Sequence, residues 1–179
     1  MKKVLVTLIA LSLPTFALAD ATKGFYVQAD AGHATVKGDA SVKGFSPRIT
    51  AGYDFGDFRV AADYTHYKSK KINTSLVDAE AKYHSAGVSA IYDFDLQAPV
   101  KPYVGARVAV NHASTKVETA NSYYERKETK TGIGAMAGVS YEVTPNVALD
   151  ASYRYNYWGK FDETKIHTHE VSAGVRVTF

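Results

Sequence analysis

The chain has no cysteine among its 179 residues, which excludes both a disulfide framework and thiol chemistry. Beyond the first twenty or so residues it lacks any apolar run near the roughly 20 residues that a membrane helix needs. It also lacks a strong charge of either sign. The formal net charge is +3, and it falls to +1 if Lys2 and Lys3 leave with the first segment. That near balance argues against a nucleic-acid partner.

What is present begins with an export signal. Met1-Lys2-Lys3 is a short basic stretch, Val4 to Leu13 is apolar, and Ala17-Leu18-Ala19 is a small-residue end. This order predicts cleavage between Ala19 and Asp20, with 1–19 a signal peptide and 20–179 one mature domain. The apolar stretch is too short to span a membrane as a helix.

The mature part alternates. Phe25, Val27, Ala29 and Ala31 are apolar, and Tyr26, Gln28, Asp30 and Gly32 lie between them. A period of two means a strand with different surroundings on its two faces. Seven further runs repeat the pattern, at about 45–55, 58–65, 85–93, 103–111, 132–142, 147–156 and 170–179. Eight is an even number of strands, and each is long enough to cross a bilayer when tilted. The fold expected is therefore all-β: an eight-stranded antiparallel transmembrane β-barrel. A soluble sandwich would turn the apolar face inward. Three features oppose it: glycine is dense on the polar face, the apolar face is Ala- and Val-rich in mid-strand with aromatic ends, and the chain closes on Phe179. This alternating, Phe-terminated end looks like the signal read by the outer-membrane assembly machinery.

Connection lengths orient the barrel. Tight turns are expected at 54–57, 95–101 and Thr144-Pro145-Asn146, where Pro and Asn pre-set turn geometry. Four longer connections, at about 37–44, 68–82, 115–130 and 159–165, become extracellular loops, because short turns face the periplasm. The second carries Lys68, Lys70, Lys71 and Lys82; the third carries Lys116, Arg126, Lys127 and Lys130 beside Tyr123 and Tyr124. Tyr67, Tyr83, Trp158 and Phe161 stand near them. These loops are candidates for binding a host protein or an anionic glycan, although charge runs are more often simply solvated.

The inward face gathers charge. Arg48, Arg59, Arg107, Arg154 and Arg176 can pair with Asp30, Asp63, Glu142, Asp150 and Glu170. An unpaired charge in a dry lumen is costly, so a network that plugs the barrel is expected rather than a water-filled pore. A narrow porin with weak channel activity is the alternative. His33, His66, His84, His112, His167 and His169 all fall on the lipid-facing parity near the outer strand ends. They are expected to ring the outer-leaflet interface and to meet lipopolysaccharide phosphates, more strongly when protonated below about pH 6.5.

Several runs together resemble the opacity-type porin family over nearly the whole chain. They include Gly24-Phe25-Tyr26-Val27-Gln28-Ala29-Asp30, Lys43-Gly44-Phe45-Ser46-Pro47-Arg48, Ser89-Ala90-Ile91-Tyr92-Asp93-Phe94-Asp95 and Tyr153-Arg154-Tyr155-Asn156-Tyr157. The resemblance implies an eight-stranded outer-membrane barrel that contacts host receptors or serum factors through its outer loops, with outer-membrane lipid and lipopolysaccharide around it. The second and third loops carry no match, so no receptor transfers. An enzyme reading rests on His112-Ala113-Ser114, which resembles the H-x-S of outer-membrane lipid A deacylases, with Glu118, Glu125 or Glu128 to complete it. His167-Thr168-His169 puts two imidazoles on one face, but no third metal ligand is visible. No catalytic role and no cofactor is expected.

Overall fold

The computed structural model describes residues 23–37, 41–74, 77–119, 122–161 and 164–179. The expected cleavage site at Ala19 and Asp20 lies outside them. The described residues form nine strands: β1 (Gly24–Lys37), β2 (Ser41–Phe45), β3 (Arg48–Asp54), β4 (Phe58–Thr74), β5 (Val77–Asp93), β6 (Val100–Thr119), β7 (Ser122–Thr144), β8 (Val147–Phe161) and β9 (Thr164–Thr178). Every neighbouring pair is antiparallel, and β1 pairs with β9 to close the sheet. Closure removes free edges, which is what a sheet in lipid requires.

β2 and β3 are one crossing of the membrane. Both pair with β1, and the register is unbroken across the gap: His33 opposes Phe45 and Asp30 opposes Arg48. The interruption falls at Pro47, which has no N–H to give to the ladder. Its carbonyl still accepts from His66 N at 3.0 Å, and Ser46 N donates to Gly32 O at 2.8 Å. The barrel thus has eight crossings.

Alternation sets the two faces. Phe25, Ile49, Val88, Val108, Ile133 and Val171 are exposed, and their sequence neighbours are buried or half-buried. An apolar exterior over a polar interior is the reverse of a soluble core, and it suits a lipid surround. Phe25, Tyr53, Phe55 and Phe58 pack in a chain, with Phe25 and Tyr53 centroids 4.9 Å apart and Tyr53 and Phe55 4.7 Å apart. Tyr92 and Phe94 continue this inner girdle. Its turns are short. Gly56 N donates to Asp54 Oδ1 at 2.8 Å, with Gly56 at a φ of 110° that a side chain would strain. Val147 N donates to Thr144 Oγ1 at 3.0 Å in the turn at 145–146.

The outer side departs from the expected loops. Most of 68–82 and 115–130 continues as strand, so β4 with β5 and β6 with β7 form hairpins that extend past the apolar band. Outside lipid both faces of a hairpin meet water. The apolar alternation therefore stops where the hydrogen-bond ladder does not, and a reading based on alternation ends the strands too early.

Candidate functional site: the lumen and the outer rim

From the outer end inward, the lumen is filled in layers. The first is an aromatic cap. Trp158 is 1% exposed and packs on Tyr67 and Tyr83 with centroids 5.6 and 6.2 Å away, and Ala34 and Ile166 complete the cluster. Trp158 and Tyr67, expected near a partner surface, face inward instead. They have the lumen parity of Arg154 and Asn156 on β8, and of Asp63 and Thr65 on β4.

Below the cap lies an ion-pair network. Arg107 grips Asp63 with Nε and Nη2 at 2.8 and 2.6 Å, and its Nη2 also donates to Ser85 Oγ at 3.1 Å. Arg154 reaches the same Asp63 at 3.3 Å. Arg48 bridges two acids: Nε lies 3.1 Å from Asp30, Nη1 pairs with Glu170, and Nη2 donates to Ser172 at 2.9 Å. Gln28 Nε2 donates to Asp30 at 2.9 Å. Gly87 makes room for the Arg107 guanidinium, because a Cβ there would stand 2.6 Å from its Cζ.

The third layer is a belt of Tyr26, Ala61, Ile91, Tyr103 and Met136. The two rings lie directly over glycines. A Cβ on Gly52 would meet the Tyr26 ring at 2.7 Å, and one on Gly138 would meet Tyr103 at 2.6 Å. Tyr103 Oη donates to Asp150 at 2.8 Å. Asp150 is therefore held by a phenol, where an arginine was expected. A cavity of about 20 Å³ between network and belt has room for about one water.

Toward the periplasm, Arg59 clamps Asp93 with Nε and Nη2 at 2.6 and 2.7 Å and stacks 4.8 Å over Tyr103. Asp93 was not among the expected partners. Arg176 lies 5.7 Å from the Tyr26 centroid. Glu142 pairs with Lys101 at 2.7 Å at a half-exposed mouth, outside the dry lumen expected for it. A recess of about 280 Å³ opens there between Asp54, Asp93, Arg176 and the Lys101–Glu142 pair.

On the rim, the six histidines have the parity of the lipid face. Phe25 to His33, Phe58 to His66, Tyr92 to His84 and Val104 to His112 are each eight residues apart along one strand. Eight steps of a tilted strand rise roughly 20 Å, close to the height of a barrel's apolar band. His66 opposes His84, and His84 opposes His112. Tyr153 Oη bonds His169 Nδ1 at 2.6 Å. Phe179 N donates to Phe25 O at 2.8 Å, which ties the last residue to the first strand.

In the hairpins, Lys68, Lys70, Lys71, Lys116, Tyr123, Tyr124, Arg126 and Lys127 are placed by backbone only; their side chains lie outside the described residues. Lys71 opposes Glu80, Glu80 opposes Lys116, and Lys116 opposes Glu125, an alternating row across four strands. Lys70 opposes Ala81, Arg126 opposes Thr115, and Ser114 opposes both Lys82 and Lys127. Lys130, half-buried, opposes Asn111. His112 Nδ1 bonds Thr129 Oγ1 at 2.9 Å, and Glu128 opposes Ala113, so its parity is opposite to that of His112 and Ser114. Among the described residues no three His, Cys, Asp or Glu converge as a metal cluster.

Comparison with known proteins fits this architecture. The model of the opacity family porin protein matches residues 51–179. Opacity protein opA58 of Neisseria gonorrhoeae is 35% identical, over 74% of this chain and 71% of its own. Opacity protein opA57 of the same organism is 36% identical, over 74% and 78%. Among solved structures, Neisserial surface protein A is 54% identical with a TM-score of 0.74, covering 87% of this chain and 97% of that one. Ail, the attachment invasion locus protein of Yersinia pestis, has the same fold at 24% identity and a TM-score of 0.63, covering 86% and 99%.

Proposed function

The chain belongs to the opacity family of outer-membrane porin proteins, and from that premise we propose that it acts at the cell surface through its outer hairpins, binding a host protein or an anionic glycan. The observation that carries this reading is the contrast between lumen and rim. The lumen is occupied by side chains through its depth, whereas the hairpins continue past the apolar band and carry basic residues. Row by row, Lys71 and Lys116 face acids in register, which leaves Lys70, Lys82, Arg126 and Lys127 opposite neutral residues as the cationic positions for an anionic ligand.

Around the rim, the six histidines meet lipopolysaccharide phosphates. Phe179 serves as the residue by which the assembly machinery recognises the chain.

Sucrose octasulfate is a suitable probe for the hairpins. Ail, which shares the fold, has been solved in complex with it as a heparin analogue. Cells carrying this chain should bind a sulfated glycan surface, and added salt should weaken that binding. Lys82→Gln with Lys127→Gln should weaken it about two- to thirtyfold, at roughly 0.2–1 kcal/mol for each ion pair lost. Shortening all four outer connections to the membrane surface should abolish it. Binding of glycans and of a panel of host proteins that survives the shortening, with the barrel still folded, overturns the reading.

A further inference from the structure

Three polar atoms converge on the outer rim in a way that ordinary hydrogen bonding satisfies poorly. His66 Nδ1 lies 3.1 Å from His84 Nδ1, and Tyr64 Oη lies 2.7 Å from the same His84 nitrogen. The rings are close, with His66 and His84 centroids 4.7 Å apart and Tyr64 stacked on His84 at 5.9 Å. An imidazole nitrogen has a single in-plane position, used either by its proton or by its lone pair. His84 Nδ1 can therefore make one well-directed bond, while two neighbours approach it.

A divalent metal relieves the conflict by accepting both imidazole lone pairs at once. With metal–nitrogen bonds of about 2.0–2.1 Å, two ligands at a tetrahedral angle stand about 3.3 Å apart, and two at a right angle about 2.9 Å apart. The observed separation falls between these values. We propose that His66 and His84 form a two-histidine site for a borderline transition-metal ion such as Zn²⁺ or Cu²⁺, the class that imidazole favours. Strands β4 and β5 preset the site, since the two residues are direct register partners and their parity is fixed by the lipid-facing alternation.

His112, next in the row, bonds Thr129 through Nδ1 and is not part of the proposed pair. Tyr64 Oη is placed to bind the metal or to hold a metal-bound water. The other coordination positions open outward at the level expected for lipid headgroups, so a phosphate oxygen or water completes them. The site depends on neither hairpin binding nor its ligand.

The test uses untagged mature protein folded in detergent micelles, with Cu²⁺ as the probe. Calorimetric titration should show one site, and electron paramagnetic resonance should show hyperfine coupling to two imidazole nitrogens. His66→Gln and His84→Gln should each weaken binding more than about tenfold, since even the partners behind a ligand are worth 10–100-fold. His33→Gln and His112→Gln should leave it within about twofold. Absence of saturable binding, or binding that survives both His66→Gln and His84→Gln, overturns the proposal. Loss of the site only in His167→Gln with His169→Gln would assign the metal to that pair and overturn it equally. Resistance of the folded band to detergent before heating confirms that each variant has kept its barrel.

Discussion

Arg48→Ala should lower the stability of the folded barrel by about 3–5 kcal/mol, the range for removing one member of a buried ion pair. The upper part of that range applies, because Arg48 serves two acids. Asp30 and Glu170 have fully buried side chains, and the guanidinium lies between them. Without it, two carboxylates remain in the lumen with no cation between them, and Ser172 keeps only its bond to Ser152. Arg59→Ala should cost less, since its partner Asp93 borders the periplasmic recess that can admit water. Trp158 is the only tryptophan and is buried in the cap, so its fluorescence follows urea unfolding in lipid vesicles directly. A triple change of Arg48→Met, Asp30→Asn and Glu170→Gln should recover most of the loss, because exchanging a whole buried charge set for neutral groups is often close to neutral. A change below about 1 kcal/mol in Arg48→Ala would mean that the acids do not depend on this cation.

The same residues mark how far the sequence can be read. Parity alone assigned Asp30, Arg48, Asp63, Arg107, Arg154 and Glu170 to the lumen, because a period of two fixes the face of every residue in a strand. It could not say which acid meets which arginine. Pairs across a barrel depend on how far each strand is staggered against the next. That is why Arg59 is found on Asp93, Asp150 on Tyr103, and Glu142 on Lys101. Trp158 and Tyr67 mislead for a related reason. An aromatic residue near an outer strand end belongs to the exterior girdle or to the lumen cap according to a single step of register. The hairpin strands beyond residue 67 are not legible in the sequence because no lipid imposes alternation there, and because the register slips between Tyr67 and Lys70. The basic residues of the hairpins were visible as composition. Their register opposite Glu80 and Glu125 was not, since it exists only in the ladder.

The folded wild-type protein should leave a planar bilayer silent, although its family bears the name of porins. An ion entering from outside meets the Trp158 cap, then the Arg48 and Arg107 network, then the Tyr26–Tyr103 belt. The cap and the belt are the two dry barriers in this series, so removing one leaves the other closed. Trp158→Ala alone should stay silent, and so should Tyr26→Ala with Tyr103→Ala. Combining all three should produce discrete conductance. The belt is what separates the cavity of about 20 Å³ from the open recess of about 280 Å³, and the network between cap and belt hydrates once water reaches it from both ends. The network itself is no barrier to water, being built of charges that already prefer it. The apolar layers on either side keep it dry, which also explains why arginines can be paired so tightly there: ion pairs are strong where water is excluded. A reproducible, ion-selective conductance from the wild-type protein, absent from the empty bilayer, would show that the layers part on their own. The lumen would then be a working pathway and not a plug.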